Sequence, residues 1–146
     1  MKELTLKATI ENITPVTEFV NAQLTSVGCE LKTQRLIDVA LDELFSNIAR
    51  YAYTPQTGMA TVQVDVNQDL RTVEISLKDT GMPYNPLTSK DPVSGLTCKE
   101  RKTGGFGIYI VKKSMDDVRY EYVDGYNVTT IVKRYCDKPK SPQALI

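Results

Sequence analysis

With 146 residues, 41% of them hydrophobic, the chain is long enough for one domain with a substantial core and too short for two. Lys and Arg number 18 against 18 Asp and Glu, so no net field draws the protein to nucleic acid or to an anionic membrane surface. The sequence holds no His, the commonest general base and metal ligand, and its three cysteines, Cys29, Cys98 and Cys136, match neither a disulfide framework nor a zinc pattern. Chemistry here must rest on carboxylates, amides, hydroxyls and backbone. No apolar run approaches the roughly 20 residues of a spanning helix. Met1-Lys2-Glu3 leads into an alternating segment and not a signal-peptide core, so a cytoplasmic location is expected.

From Glu3 to Ile10, polar and apolar residues alternate with Leu4, Leu6, Ala8 and Ile10 on one face, which predicts an opening strand. Thr14-Pro15 then offers an N-cap followed by Pro at the first helical position. Val16, Phe19, Val20 and Leu24 form a helical stripe that stops at Gly28, predicting a helix over 15–27. From Lys32 to Tyr51, the positions Ile37, Leu41, Leu44, Phe45 and Ile48 predict a buried central helix. Beyond Thr54-Pro55-Gln56-Thr57-Gly58, the runs Ala60 to Val66 and Thr72 to Leu77 read as a hairpin. Residues 80–103 show little periodicity and are too long for an ordinary connection, which predicts a functional lid. Gly107 to Met115 reads as a helix, and Val118 to Val123 with Val128 to Tyr135 as a second hairpin around Asp124-Gly125-Tyr126-Asn127. One domain is expected over 1–137, with a flexible tail at 138–146.

Three polar islands interrupt this pattern. Glu43 and Asn47 are four apart, so they share one helix face at the edge of the apolar stripe, where a carboxylate and an amide carbonyl can converge on a metal ion and its phosphates. Asp79-Thr80-Gly81 ends an apolar strand and supplies a carboxylate able to accept from an amino group. Gly104-Gly105-Phe106-Gly107 follows Lys99, Arg101 and Lys102 and opens a helix, whose first amides and dipole suit an anion. Each island also has a plain structural reading: a solvated helix edge, an Asp opening a turn, glycines that serve a turn. Together they point to a nucleotide, and neither a Walker loop nor a Rossmann fingerprint accounts for them.

In these residues the chain resembles the GHKL ATPase superfamily, and within it the small anti-sigma factor serine/threonine kinases of sporulation and stress-response regulation. Ala40 to Tyr53 looks like the family N-box, Asp79 to Pro86 like its first glycine box, and Gly104 to Ile108 with Lys113 to Val118 like its second. The sequence departs from the common pattern at Met82-Pro83 and at Val128, where many members carry Gly. The resemblance implies an α+β fold of the Bergerat type, a two-layer α/β sandwich whose mixed, mostly antiparallel sheet is covered on one face by helices. It implies ATP and Mg²⁺, with Asn47 on the metal, Glu43 as catalytic base, and Asp79, Gly81, Pro83 and Thr129 around the adenine. Arg101, Lys102, Thr103, Gly104, Gly105, Phe106 and Gly107 would hold the phosphates. The implied activity is phosphorylation of an anti-anti-sigma (STAS-domain) protein by a homodimer that also sequesters a sigma factor, without direct contact to nucleic acid or membrane. The alternative reading is a nucleotide-gated binding module with little turnover.

Overall fold

The computed structural model describes residues 1–88 and 105–136. Strand β1 (Lys2–Lys7) leads through a 3₁₀ turn (Ile10–Asn12) into helices α1 (Ile13–Ser26) and α2 (Leu31–Asn47), and α2 runs on into a π turn (Ile48–Ala52). Strands β2 (Met59–Asn67) and β3 (Thr72–Asp79) follow, then a 3₁₀ turn (Pro86–Thr88), helix α3 (Gly105–Ser114) and strands β4 (Asp117–Val123) and β5 (Tyr126–Arg134). The sheet has the order β1-β2-β3-β5-β4. Every pairing in it is antiparallel, where the sequence reading allowed for a mixed sheet. The α+β architecture of helices and an antiparallel sheet is the one expected.

Strand alternation decides which face is covered. Val62 pairs with Leu77 and Val64 with Ile75, so these side chains lie on one face, and all four are buried. The stripes of the helices meet them in one cluster: Val16, Val20 and Leu24 of α1, Ile37, Leu41, Leu44 and Phe45 of α2, and Ile108 and Val111 of α3. The opposite face is polar. There the hydroxyls of Thr5 and Thr61 lie 2.8 Å apart, as do those of Ser76 and Thr130, and Arg119 reaches Glu74 at 2.6 Å.

Boundaries move where local hydrogen bonds compete with the periodic pattern. β1 stops at Lys7 and not at Ile10, because Thr9 N–H and the Asn12 side-chain amide both turn back to the Lys7 carbonyl, at 2.9 and 2.8 Å. Ala8 is buried as expected and Ile10 is exposed. α1 begins at Ile13, so Thr14 and Pro15 lie inside its first turn; a Pro there forfeits no intrahelical bond. The second hairpin turns on Asp124 and Gly125 alone, with φ of 54° and 83°, the two left-handed residues of a type I′ turn. Tyr126 and Asn127 therefore belong to β5 and not to the loop. Of the lid reading, residues 80–88 are described, ending in the Pro86–Thr88 turn; 89–103, and the tail at 138–146, lie outside the described residues. Among the described residues no helix is long and apolar enough to cross a membrane.

Candidate functional site

Because α2 lays its stripe on the sheet, residues at the stripe's edge stand where helix, strand end and loop meet. A cleft enclosing about 690 Å³, the open space at its mouth included, lies there. Leu44 and Ile48 of the helical segment, Leu77 of β3 and Pro83 of the following loop give it apolar walls, and Asn47, Asp79, Asn127 and Thr129 place polar atoms in it. Asn47, Asp79, Pro83 and Thr129, four of the residues read from the sequence, thus come together on one cavity although 82 residues separate the first from the last.

Asp79 is the last residue of β3 and is 5% exposed. Burial pushes its carboxyl above the ordinary carboxylate range, and two donors draw it back. The Asn127 side-chain amide donates to Oδ1 at 3.0 Å and the Gly81 N–H to the same oxygen at 2.9 Å. Both donors meet Oδ1, so among the described residues Oδ2 is the oxygen open to a ligand.

The loop behind Asp79 is fixed by backbone contact. A Cβ on Gly81 would fall 2.3 Å from the Ala52 carbonyl oxygen, so only Gly allows this approach. The neighbouring Met82 N–H donates to that same carbonyl at 2.9 Å. Tyr53 closes the other side: its hydroxyl donates to the Met59 carbonyl at 2.6 Å and accepts from the Thr80 N–H at 2.8 Å. The π turn thus acts as the cleft's floor, carrying Tyr51 and Ala52 into the lining.

Glu43 does not line this cavity. Its carboxylate instead lies against the first turn of α3, where a Cβ on Gly107 would come within 2.0 Å of the carboxyl carbon and 2.2 Å of each oxygen. Burial raises the Glu43 pKa, while the Arg50 charge and a hydrogen bond from Asn47 lower it. The two readings from one helix face and one glycine motif therefore converge in space, since Gly107 is what lets the carboxylate approach the amide-rich helix start. Gly105 and Phe106 open that helix. Arg101, Lys102, Thr103 and Gly104 lie outside the described residues.

A magnesium ion fits this donor set. Mg²⁺ takes hard oxygen ligands and is held by one or two protein groups, substrate phosphates completing its shell; the Asn47 carbonyl oxygen is such a donor, beside the Glu43 carboxylate. The described residues include no group of three or more His, Cys, Asp or Glu side chains that could hold a metal ion.

Sequence reasoning missed Asn127, assigned to a turn, and the clamp made by Tyr53. The signal for Asn127 was its place in the alternation with Thr129 and Ile131, which puts an amide on the inward face of a strand. Its contacts to Asp79 and to the loop after β3, however, come from residues 43 to 48 positions away in the chain.

Comparison with known proteins identifies the family. Residues 6–133 match the family model of the histidine kinase-like ATPase domain. Among curated proteins the chain is similar to the serine/threonine-protein kinase BtrW of Bordetella bronchiseptica, 26% identical over 95 residues, covering 65% of this chain and 66% of that one. It is also similar to the serine-protein kinase RsbW of Listeria innocua, 23% identical over 107 residues (70% of this chain, 66% of the relative), and to that of Bacillus mycoides, 25% identical over 104 residues (68% and 62%). The chain therefore spans just under two thirds of the length of these relatives. With the match covering nearly all of its sheet and helices, the chain belongs to the histidine kinase-like ATPase domain family, as the resemblance in its three polar islands implied.

Proposed function

We propose that the protein transfers the γ-phosphoryl group of ATP to a serine or threonine of a partner protein and, through that reaction, controls a sigma factor to which it also binds. The observation that carries this reading is the Glu43 carboxylate seated against the first turn of α3 at Gly107. A base there stands beside backbone amides suited to phosphate oxygens, with Asn47 one helical turn away. The cleft ending in Asp79 would take the adenine, its 6-amino group donating to Asp79 and its ring lying between Leu44, Ile48 and Pro83, near Thr129.

In this scheme Glu43 orients the attacking hydroxyl and takes its proton as the new P–O bond forms and ADP leaves. The amides of Gly105 and Gly107, with Arg101 or Lys102, offset charge on the transferring group, and Thr103, Gly104 and Phe106 complete that phosphate segment. Asn47 would hold Mg²⁺, which when bound neutralises phosphate charge. The kinase names of the relatives support the transfer to a protein hydroxyl. The resemblance supports an anti-anti-sigma (STAS-domain) substrate, a cytoplasmic homodimer formed through β1 and α1, and a single domain over 1–137.

The test is Glu43→Gln, which keeps the shape and one acceptor oxygen and removes the base. ATP binding, followed by the rise in unfolding temperature with Mg²⁺ and ATP, should stay within about twofold, while phosphorylation of the partner falls by about a hundredfold or more. Equal loss of binding and transfer would overturn the role assigned to Glu43. Wild-type protein that binds ATP and transfers nothing would leave a nucleotide-gated binding module instead.

A further inference from the structure

Asn127 uses the whole of its side chain to organise one wall of the cleft. Its Nδ2 donates to Asp79 Oδ1 at 3.0 Å and to the Met82 carbonyl at 3.1 Å, with the Gly81 carbonyl at 3.4 Å. Its Oδ1 accepts from the Tyr84 N–H at 3.1 Å and from the Tyr120 hydroxyl. The residue is 5% exposed and lies directly opposite Asp79 in the β3–β5 register. An amide carries two donor hydrogens and one acceptor oxygen with two lone pairs, so every valence is engaged and the group has a single orientation available.

That orientation has a chemical consequence at the atom facing the cleft. Asp79 is buried, and a buried carboxyl tends to take up a proton. With Oδ1 already accepting two N–H groups, the place for that proton is Oδ2. Oδ2 can therefore present either a lone pair or an O–H to a bound base, and the N–H donors on Oδ1 favour the lone pair. A purine with a 6-amino group needs an acceptor at this point, and one with a 6-oxo group needs a donor.

We propose that Asn127 is the positioning residue that sets base preference in the cleft: its amide holds Asp79 as an acceptor aimed at the ligand and so selects 6-amino over 6-oxo purine nucleotides. This rests on the nucleotide reading of the cleft and adds to it a residue that acts through Asp79. Asn127 is one of two described donors to the carboxylate, and the other, Gly81 N–H, belongs to the loop that Asn127 itself ties down through Met82 and Tyr84.

The experiment compares binding of ATP and ITP, which differ at the 6 position and its adjoining ring nitrogen, by calorimetry on three proteins. Wild type should prefer ATP. Asn127→Leu, close in volume and without a donor, should narrow the ATP-to-ITP preference by about tenfold or more, the scale of one hydrogen bond to a charged group. Tyr120→Phe removes one bond to Asn127 Oδ1 and leaves the donor to Asp79 in place, so it should lose stability and keep the preference. Where circular dichroism shows Asn127→Leu unfolded, Asn127→Ser, whose shorter side chain cannot span to Asp79, carries the same expectation. An unchanged ratio in the Asn127 variant, or an equal change in Tyr120→Phe, overturns the proposal while leaving the nucleotide site standing. Wild type that binds neither nucleotide overturns both.

Discussion

Two glycines of the site show how the atom a side chain would meet decides what a substitution does. At Gly107 the obstacle is the Glu43 carboxylate, the free end of a flexible side chain that can swing away. Ala in a helix is also worth about 1 kcal/mol over Gly. Gly107→Ala should therefore change stability by less than about 1 kcal/mol in urea unfolding, while displacing Glu43 and lowering phosphoryl transfer at least tenfold. At Gly81 the obstacle is the Ala52 carbonyl, 2.3 Å from a Cβ, and backbone held by the Met82 N–H cannot swing. Gly81→Ala should cost about 2 to 3 kcal/mol, in the range of overpacked sites, and should weaken nucleotide binding as well, since the same loop positions Asp79. The contrast separates a glycine that admits a functional group from one that admits the chain itself.

Among the elements, α2 matters most, because it packs against both α1 and α3 while its last turns carry Glu43 and Asn47. Phe45, between those two residues in sequence, is fully buried. Phe45→Ala should cost about 3 to 5 kcal/mol, the usual price of an emptied aromatic site in a core, measured as a lowered denaturant midpoint. The adjoining π turn is the element that sequence reasoning extended as plain helix to Tyr51. Its wider turn places Ala52 and Tyr53 against the loop after β3, and such turns recur at functional sites. On the other side, the β4–β5 hairpin shortened from four predicted loop residues to Asp124-Gly125, and that gain of two strand residues is what delivers Asn127 to Asp79.

At the scale of the molecule, three carboxyls among the described residues, Asp38, Glu43 and Asp79, have pKa values raised chiefly by burial. A carboxyl raised in the folded state binds its proton more readily there than in the unfolded chain, so its contribution to stability falls as pH rises from the ordinary value towards the raised one. Asp38 isolates the effect at the α1–α2 contact. Its Oδ2 accepts weakly from Asn21 at 3.4 Å, and Asp38 Oδ1 and Asn21 Oδ1 are buried without a hydrogen-bond partner among the described residues. Asp38→Asn removes the buried charge and supplies a donor for Asn21, so the variant should gain stability over wild type, and the gain should grow as pH rises through that window; a gain independent of pH would count against the assignment. By itself the sequence determined the elements and the three polar islands, because hydrophobic period, capping and glycine placement act within a few residues of one another. Alternation over 60–66 and 72–77 predicted β2 and β3, the stripe from Ile37 to Ile48 predicted α2, and the spacing of Glu43 and Asn47 placed both on one face. Only the tertiary structure decided that Glu43 meets Gly107, that Ala52 backs Gly81, and that Asn127 grips Asp79, since each contact joins residues 29 to 64 positions apart and depends on sheet register and on how α3 docks, which no local pattern encodes.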